Sequence, residues 1–566
     1  MSVAFAVTWE FDGYGRAISN YLAGDVNRGD LTYNADNTVV TNSSGVETTY
    51  NFINQNGLGL VSGISGPGCS SCGTSDSSYE YDSVNSNLLA ETVKGIRTEY
   101  SNYDANGNYR TKIIAAGTSS ARTVSYTYDS RFFGMVATRS EPSVCTGSQK
   151  VTTYGYDSLG NMTSRSVDGF TNTCMPVSHM GTYQYNGPYN QLSLIDGPRT
   201  DVNDSIYLNY YADDIAEGDN RVRLRQVTTD SGLVLYDNIQ YSPTGKVTQV
   251  TRSSGLLARY TYYTGNDRLE TMTETDGTTT RVTRLTYLPT GEVQTVTFGD
   301  GSSTPINMTL TYDAARRFTG VTDGLGNAIV YNLDSEGNPI SDEVYDSQGV
   351  LKYALARTFD LYDRLESLGK ENEIERYVYN SAGELQTTTD GELANTDYQY
   401  DDLKRLVSVT KDVGGIDPST ADAQTQLAYD DQDNLTYVTD PINGSTRYVY
   451  DDLGNLLSQT SPDTGTTTFT YNTAGQMASK TNALTQITDY QYDDLGRMLL
   501  IDYFGTAQDV SNIYDNYPGC NNGQGRLCFM TDESGTTLYS YNGFGDLIQQ
   551  QHTELGVTFS TSYSYD

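Results

Sequence analysis

No run of apolar residues in this 566-residue sequence is longer than five, Val3 to Val7. A membrane-spanning helix needs about 20, so no helical span is expected. The same segment has neither a basic flank nor a signal-length apolar stretch, so no secretion signal is visible. Histidine is nearly absent: His179 and His552 stand alone in unrelated contexts. HExxH and GxSxG patterns are missing. Gly245-Lys246 lacks both the upstream glycine and the following hydroxyl residue of a phosphate loop. Positive charge is also scarce, with 35 Lys and Arg against 71 Asp and Glu, a net charge of −36. That balance repels nucleic acid and anionic membrane surfaces. Apolar residues make up only 36%, and 48 of them are tyrosines. A conventional core draws on roughly 45–50%, counting glycine, so this one must be thin.

Disorder is not the consequence. Charged residues are only 19%, and the abundant Tyr, Thr and Val suit a half-buried pleated surface. The residues are also ordered along the chain. Tyr-Asp occurs 14 times, whereas 48 Tyr and 51 Asp placed at random in 566 positions would meet about four times (48 × 51/566). Tyr379, Tyr400, Tyr429, Tyr450, Tyr471 and Tyr492 open successive copies at spacings of 21, 29, 21, 21 and 21 residues. Looser copies open at Tyr81, Tyr103, Tyr128 and Tyr156. The chain divides accordingly into an irregular start with a CxxC (1–78), degenerate repeats with insertions (79–240), loose repeats (241–378) and regular repeats (379–566).

Each position of the unit has a physical task. In Ser445 to Thr460, STRYVYDDLGNLLSQT, Tyr448 and Tyr450 lie two apart and face the same side of a strand. Asp451 opens a turn whose backbone N–H groups its carboxylate can bind, and Gly454 supplies the positive φ that closes it. Leu456 starts the return strand. A second turn follows at Asp463 to Gly465, with counterparts at Asp440 to Gly444, Asp323 to Gly326 and Asp532 to Gly535. Tyr492, Asp493 and Gly496 repeat the first turn. A period near 21 gives apolar residues no helical spacing, so the expectation is an all-β array of tandem antiparallel hairpins. Tyrosine suits a wall wetted on one side, its ring packed and its hydroxyl in water.

Candidate chemistry is sparse. Asp230-Ser231-Gly232 and Asp463-Thr464-Gly465 match the D-[ST]-G core of aspartic proteases, but both fall where the repeat wants a turn. Asp104 to Asn108 resembles the start of a calcium loop, with its glycine too early and no glutamate at the twelfth position. No cofactor is expected. The six cysteines form three local pairs. Cys69 and Cys72 make a CxxC with no second one to complete a zinc site. Cys145 and Cys174 flank the hairpin that turns at Asp157 to Gly160, which brings Cys145 opposite about residue 172 or 173. Cys520 and Cys528 bracket an insertion after Tyr514. Disulfides in an oxidising compartment and incidental free thiols are both open readings.

The repeat resembles the RHS/YD-repeat family, whose units read approximately YxYDxxGNLxxxxDxxGxxxxY. Tyr448 to Leu456 and Tyr154 to Met162 match nearly position for position, and the pattern runs from about Phe11 to Asp566, degenerating between Asp196 and Asp237. The resemblance implies a strip that spirals into a hollow shell. It implies a non-enzymatic structural role in enclosing or displaying a toxin-like C-terminal domain, on a secreted or cell-surface protein. Its partners would be a further C-terminal portion of the same protein, with no nucleic acid and no membrane span. The sequence ends at Tyr563 to Asp566 without the DPxGL-type core of bacterial members, so a piece of wall is expected. An adhesion surface binding a cell-surface protein or glycan through tyrosine rows is the alternative, and an aspartic protease a remote one.

Overall fold

In the computed structural model, residues 7–23, 26–66, 76–370, 373–415, 422–442, 444–505 and 508–565 are described. Strand accounts for 56% of the chain and helix for 2%. The helix is two short 3-10 segments, Pro188–Asn190 and Ile215–Asn220. The second lies in the stretch where the repeat is hardest to read.

Among the described residues, 47 strands join into one open sheet, and every pairing is antiparallel between strands adjacent in sequence. The chain therefore runs as an uninterrupted meander. Its two edges differ in chemistry. The Tyr-Asp turns line one edge, and the turns that follow each return strand line the other; these are termed front and back turns below.

The two faces differ as well. In Gly465–Tyr471 the burial alternates, with Thr466, Thr468 and Thr470 exposed and Thr467, Phe469 and Tyr471 half-buried. Cross-strand hydroxyl pairs run along the wet face, as at Thr470–Ser479 (2.7 Å), Thr127–Thr138 (2.6 Å) and Thr460–Thr466 (3.0 Å). Such pairs contribute roughly 0.2–1 kcal/mol each, so stability accumulates along the array.

The strip is bent by design of its register. Val449 pairs with Ser458 but Tyr450 pairs with Leu456, which leaves Leu457 as an extra residue. The same slip precedes Tyr379, Tyr400, Tyr429, Tyr471, Tyr492, Tyr514 and Tyr541. A bulge bends its strand and adds right-handed twist. Placed in the same register of unit after unit, it winds the strip into a spiral.

Candidate functional site: the wall and its seam

Asp451 shows how a front turn is held. Its Oδ1 accepts the N–H groups of Leu453 (2.9 Å) and Asn455 (2.8 Å), and its Oδ2 accepts Asn455 Nδ2 (2.9 Å). Gly454 closes the turn at φ 86°. Asp493 repeats this with Leu495 and Arg497, and Gly496 has φ 78°. Where arginine replaces asparagine four residues after the aspartate, it bonds the same carboxylate and reaches over the next tyrosine ring. Arg364 lies 4.4 Å from the Tyr379 centroid and Arg497 4.5 Å from Tyr514. Hydrogen bonds hold carboxyls of both turn types below their ordinary range: Asn161 does so at Asp157 in a front turn, Asn327 at Asp323 in a back turn.

The tyrosine hydroxyls depart from expectation. They are not left to water. Tyr471 Oη donates to the carbonyl of Leu456 (2.8 Å), Tyr492 to Met477 (3.0 Å), Tyr514 to Met498 (3.1 Å) and Tyr541 to Leu527 (2.6 Å). The acceptor is the first residue of the previous unit's return strand. The reason is economy of pairing: the bulge beside that residue disturbs the strand ladder, and the next tyrosine reaches back to satisfy a carbonyl there. Burial pushes the hydroxyls of Tyr471, Tyr492 and Tyr541 up from their ordinary pKa.

The spiral closes on itself along a seam, where back turns of the first coil meet front turns of the second, 265 to 309 residues later. Ser43 Oγ and Ser44 N donate to Glu336 Oε1 at 2.7 and 2.9 Å. Arg122 bonds the Asp431 carbonyl (2.8 Å) and the Asp433 carboxylate (2.9 Å). Arg199, its side chain 3% exposed, reaches the carbonyls of Tyr492 and Asp493. Arg281 pairs with Asp546 at 2.7 Å and covers the Phe544 ring.

Asp452 is the most enclosed of these contacts, fully buried. Its carboxylate accepts Ser143 Oγ (2.6 Å), Val144 N (2.8 Å), Phe170 N (2.8 Å) and Gln432 Nε2, and its own N–H donates to the Phe170 carbonyl (2.9 Å). Sequence reasoning singled out Asp451 and passed over Asp452. The available signal was the doubled aspartate, present at 401–402, 430–431, 451–452 and 493–494.

Cys145 is bonded to Cys174, Cα–Cα 5.1 Å, and Cys520 to Cys528, Cα–Cα 5.4 Å. The first joins two back turns at the seam; the second ties the insertion between Val510–Tyr514 and Leu527–Asp532. The hairpin register (Val151 opposite Asp168) extends to place Cys145 opposite Cys174 itself. Cys69 and Cys72 lie outside the described residues.

The remaining candidates do not assemble into a catalytic group. Asp230 and Asp463 sit in separate back turns, twenty strands apart; Asp230 accepts Tyr207 Oη. Asp104 binds the N–H groups of Asn106 and Asn108, and among the described residues no group of three acidic, histidine or cysteine side chains is placed to hold a metal. His179 lines a cleft of about 270 Å³ beside the seam with Arg139, Glu141, Lys150 and Arg165. His552 meets Thr537 Oγ1 at 3.0 Å. Among the described residues no helix is long and apolar enough to cross a membrane.

Tyrosine-clamped hairpins, a bulged register and edge-to-edge coils define a class, the spiralling β-strip that serves as a wall. Residues 344–520 match the Teneurin YD-shell family. The matched stretch holds the regular repeats from Tyr379 to Tyr492, so the YD-repeat character is shown there. Among solved structures, the TcdB2-TccC3-Cdc42 crystal structure is similar over 95% of this chain and 31% of its own, at 13% identity and a TM-score of 0.54. A TcdB2-TccC3 crystal structure aligns over 98% of this chain and 38% of its own, at 12% identity and a TM-score of 0.47. The chain thus spans about a third of the length of those structures. No curated protein matches it.

Proposed function

We propose that this wall encloses a further polypeptide, or displays one at its rim, outside the cytoplasm, and performs no catalysis itself. The observation that carries the reading is the seam. A strip that only presented a flat adhesive surface has no use for side chains that seal one coil against the next. The strand ending at Phe170 is the fourteenth and the one starting at Leu456 the thirty-eighth, and they meet through Asp452, so one coil takes 24 strands. At ~4.8 Å per strand and ~10 Å of wall, untilted strands make a ring about 37 Å across with about 27 Å clear inside. A compact 100-residue domain, with a radius of gyration of about 13 Å, is about 34 Å across, so a bore of this width takes an extended or smaller polypeptide and not a folded domain of that size.

Disulfides at Cys145–Cys174 and Cys520–Cys528 support an oxidising location. The net charge argues against nucleic acid as the occupant. The test is limited proteolysis of the chain with a polypeptide attached beyond Asp566. Enclosure predicts that the attached segment survives while the wall is intact and is cut once the wall is unfolded. A segment digested freely from an intact wall would put adhesion to a cell-surface protein or glycan first.

A further inference from the structure

We infer that the Cys145–Cys174 bridge is a redox-sensitive latch on the seam: oxidised, it holds the socket that grips Asp452, and reduced, it lets the two coils part there. The two bridged turns are the ones that make the socket. Val144 N–H, next to Cys145, and Phe170 N–H, at the start of the Cys174 turn, both donate to the Asp452 carboxylate. The connection is direct on one side: Cys145 N–H donates to Ser143 Oγ (3.0 Å), which donates onward to Asp452 Oδ2 (2.6 Å). On the other side, Cys174 N–H closes the Thr171 turn onto the Thr171 carbonyl at 2.9 Å.

Cys174 stands at φ 62°, in the left-handed region that favours glycine. With the bridge gone, nothing covalent holds that conformation, and relaxing it moves the turn that carries Phe170. The loss is felt across the seam because Asp452 is fully buried. A carboxylate that has left water needs every donor it was given.

The bridge is also placed for reduction. Cys174 is exposed and Cys145 buried. A thiolate of a dithiol reductant attacks Cys174 Sγ, the S–S bond breaks, and the electron pair leaves on Cys145 Sγ, which takes up a proton. Ser148 Oγ lies 3.2 Å from that sulfur, positioned to donate to the departing thiolate. The reductant's second thiol then displaces Cys174, leaving two thiols in the wall and a disulfide on the reductant. The latch concerns the seam alone and stands whether or not the wall encloses a cargo.

Hydrogen exchange on the full chain tests it, with Cys69, Cys72, Cys520 and Cys528 changed to serine so that one bridge remains. Adding a dithiol reductant should raise exchange at the Val144, Phe170 and Asp452 amides by an order of magnitude or more. Amides of Tyr448 and Tyr471, within hairpins, should not change, which also certifies that the reduced chain is folded. C145S/C174S should reproduce the reduced pattern without reductant. D452N should loosen the Val144 and Phe170 amides with the bridge intact. Unchanged socket amides on reduction would overturn the latch and leave the bridge a local staple, and uniform loss of protection along the chain would overturn it equally.

Discussion

The hydroxyl of Tyr471 illustrates how much one atom contributes when it is repeated. Its ring fills the wall's packed face, and its Oη spans to the Leu456 carbonyl of the preceding unit. Tyr471→Phe keeps the ring and leaves that carbonyl unpaired, which should cost about 1 kcal/mol. Because repeat arrays open locally, the loss is to be read from faster exchange of amides in Leu456–Ser461 and Gly465–Tyr471. The turn aspartates set an acid limit. Asp157 and Asp323 have folded pKa values below the ordinary aspartate value, through the amides of Asn161 and Asn327 and nearby N–H groups. As pH falls, the unfolded chain takes up protons first. Their contribution is therefore complete above an ordinary carboxyl pKa of about 3.9 and disappears as pH drops through the lower folded values. Circular dichroism should show a folded wall at pH 6 that loses strand signal in strong acid; Asp157→Asn/Asp323→Asn should be less stable at pH 6 and lose less on acidification, whereas an unchanged stability and acid profile would mean these carboxylates contribute nothing special to the turns. The tyrosines set an alkaline limit of opposite sign. Burial raises Tyr471, Tyr492 and Tyr541, so stability is full below about 10 and is lost as pH rises through the raised values. Near-ultraviolet absorbance should show these phenols ionising late and together with unfolding.

At the scale of the hairpin, the turn and the bulge do different jobs. Gly454 at φ 86° sets the turn. Gly454→Ala should destabilise its hairpin by roughly 1–2 kcal/mol, the penalty of a left-handed L-residue, seen as local loss of exchange protection. Some front turns tolerate that penalty natively: Lys404 (φ 63°) and Asp433 (φ 68°) occupy the glycine position. The extra arginine bonds made by Arg405, to Asp401 and to the Asp430 carbonyl, offset it at the Lys404 turn. The turn was legible because aspartate and glycine have specific roles there. The bulge was not, because Leu456 and Leu457 read alike in sequence and only the pairing shows which of them is skipped. Nor was the reach of the tyrosine hydroxyl, which depends on a carbonyl about 15 residues away being set free by that bulge.

The whole molecule is organised by the seam. Asp452→Ala removes the acceptor of Val144, Phe170 and Ser143 and leaves buried donors unpaired, at about 1–3 kcal/mol for each group so orphaned. The hairpins on either side should stay folded. Solution scattering should accordingly show a larger or more open particle with unchanged circular dichroism; an unchanged scattering profile would mean the other contacts, such as Arg199 with the Asp493 turn, hold the coils alone. The two edges are not equivalent. The first coil's back edge supplies donors, Ser43 and Arg199 from its turns and Arg122 and Arg281 from the strand starts beside them, to the second coil's acidic front turns, and this polarity fixes which edge meets which.

What the sequence determined by itself is local. A 21-residue period, Asp and Gly at fixed offsets and alternating Tyr and Thr dictate strand, turn and strand, because those preferences act within one hairpin. The cysteine pair at 145 and 174 was close to legible for the same reason, since one hairpin carries both. What only the tertiary structure decided is the coil. The small bend at each bulge is invisible in any one unit, and only its sum over 24 strands brings Asp452 to Phe170. Contacts between residues about 290 apart leave no periodic trace in a chain that repeats every 21, so the seam exists in the sequence only as a doubled aspartate among many.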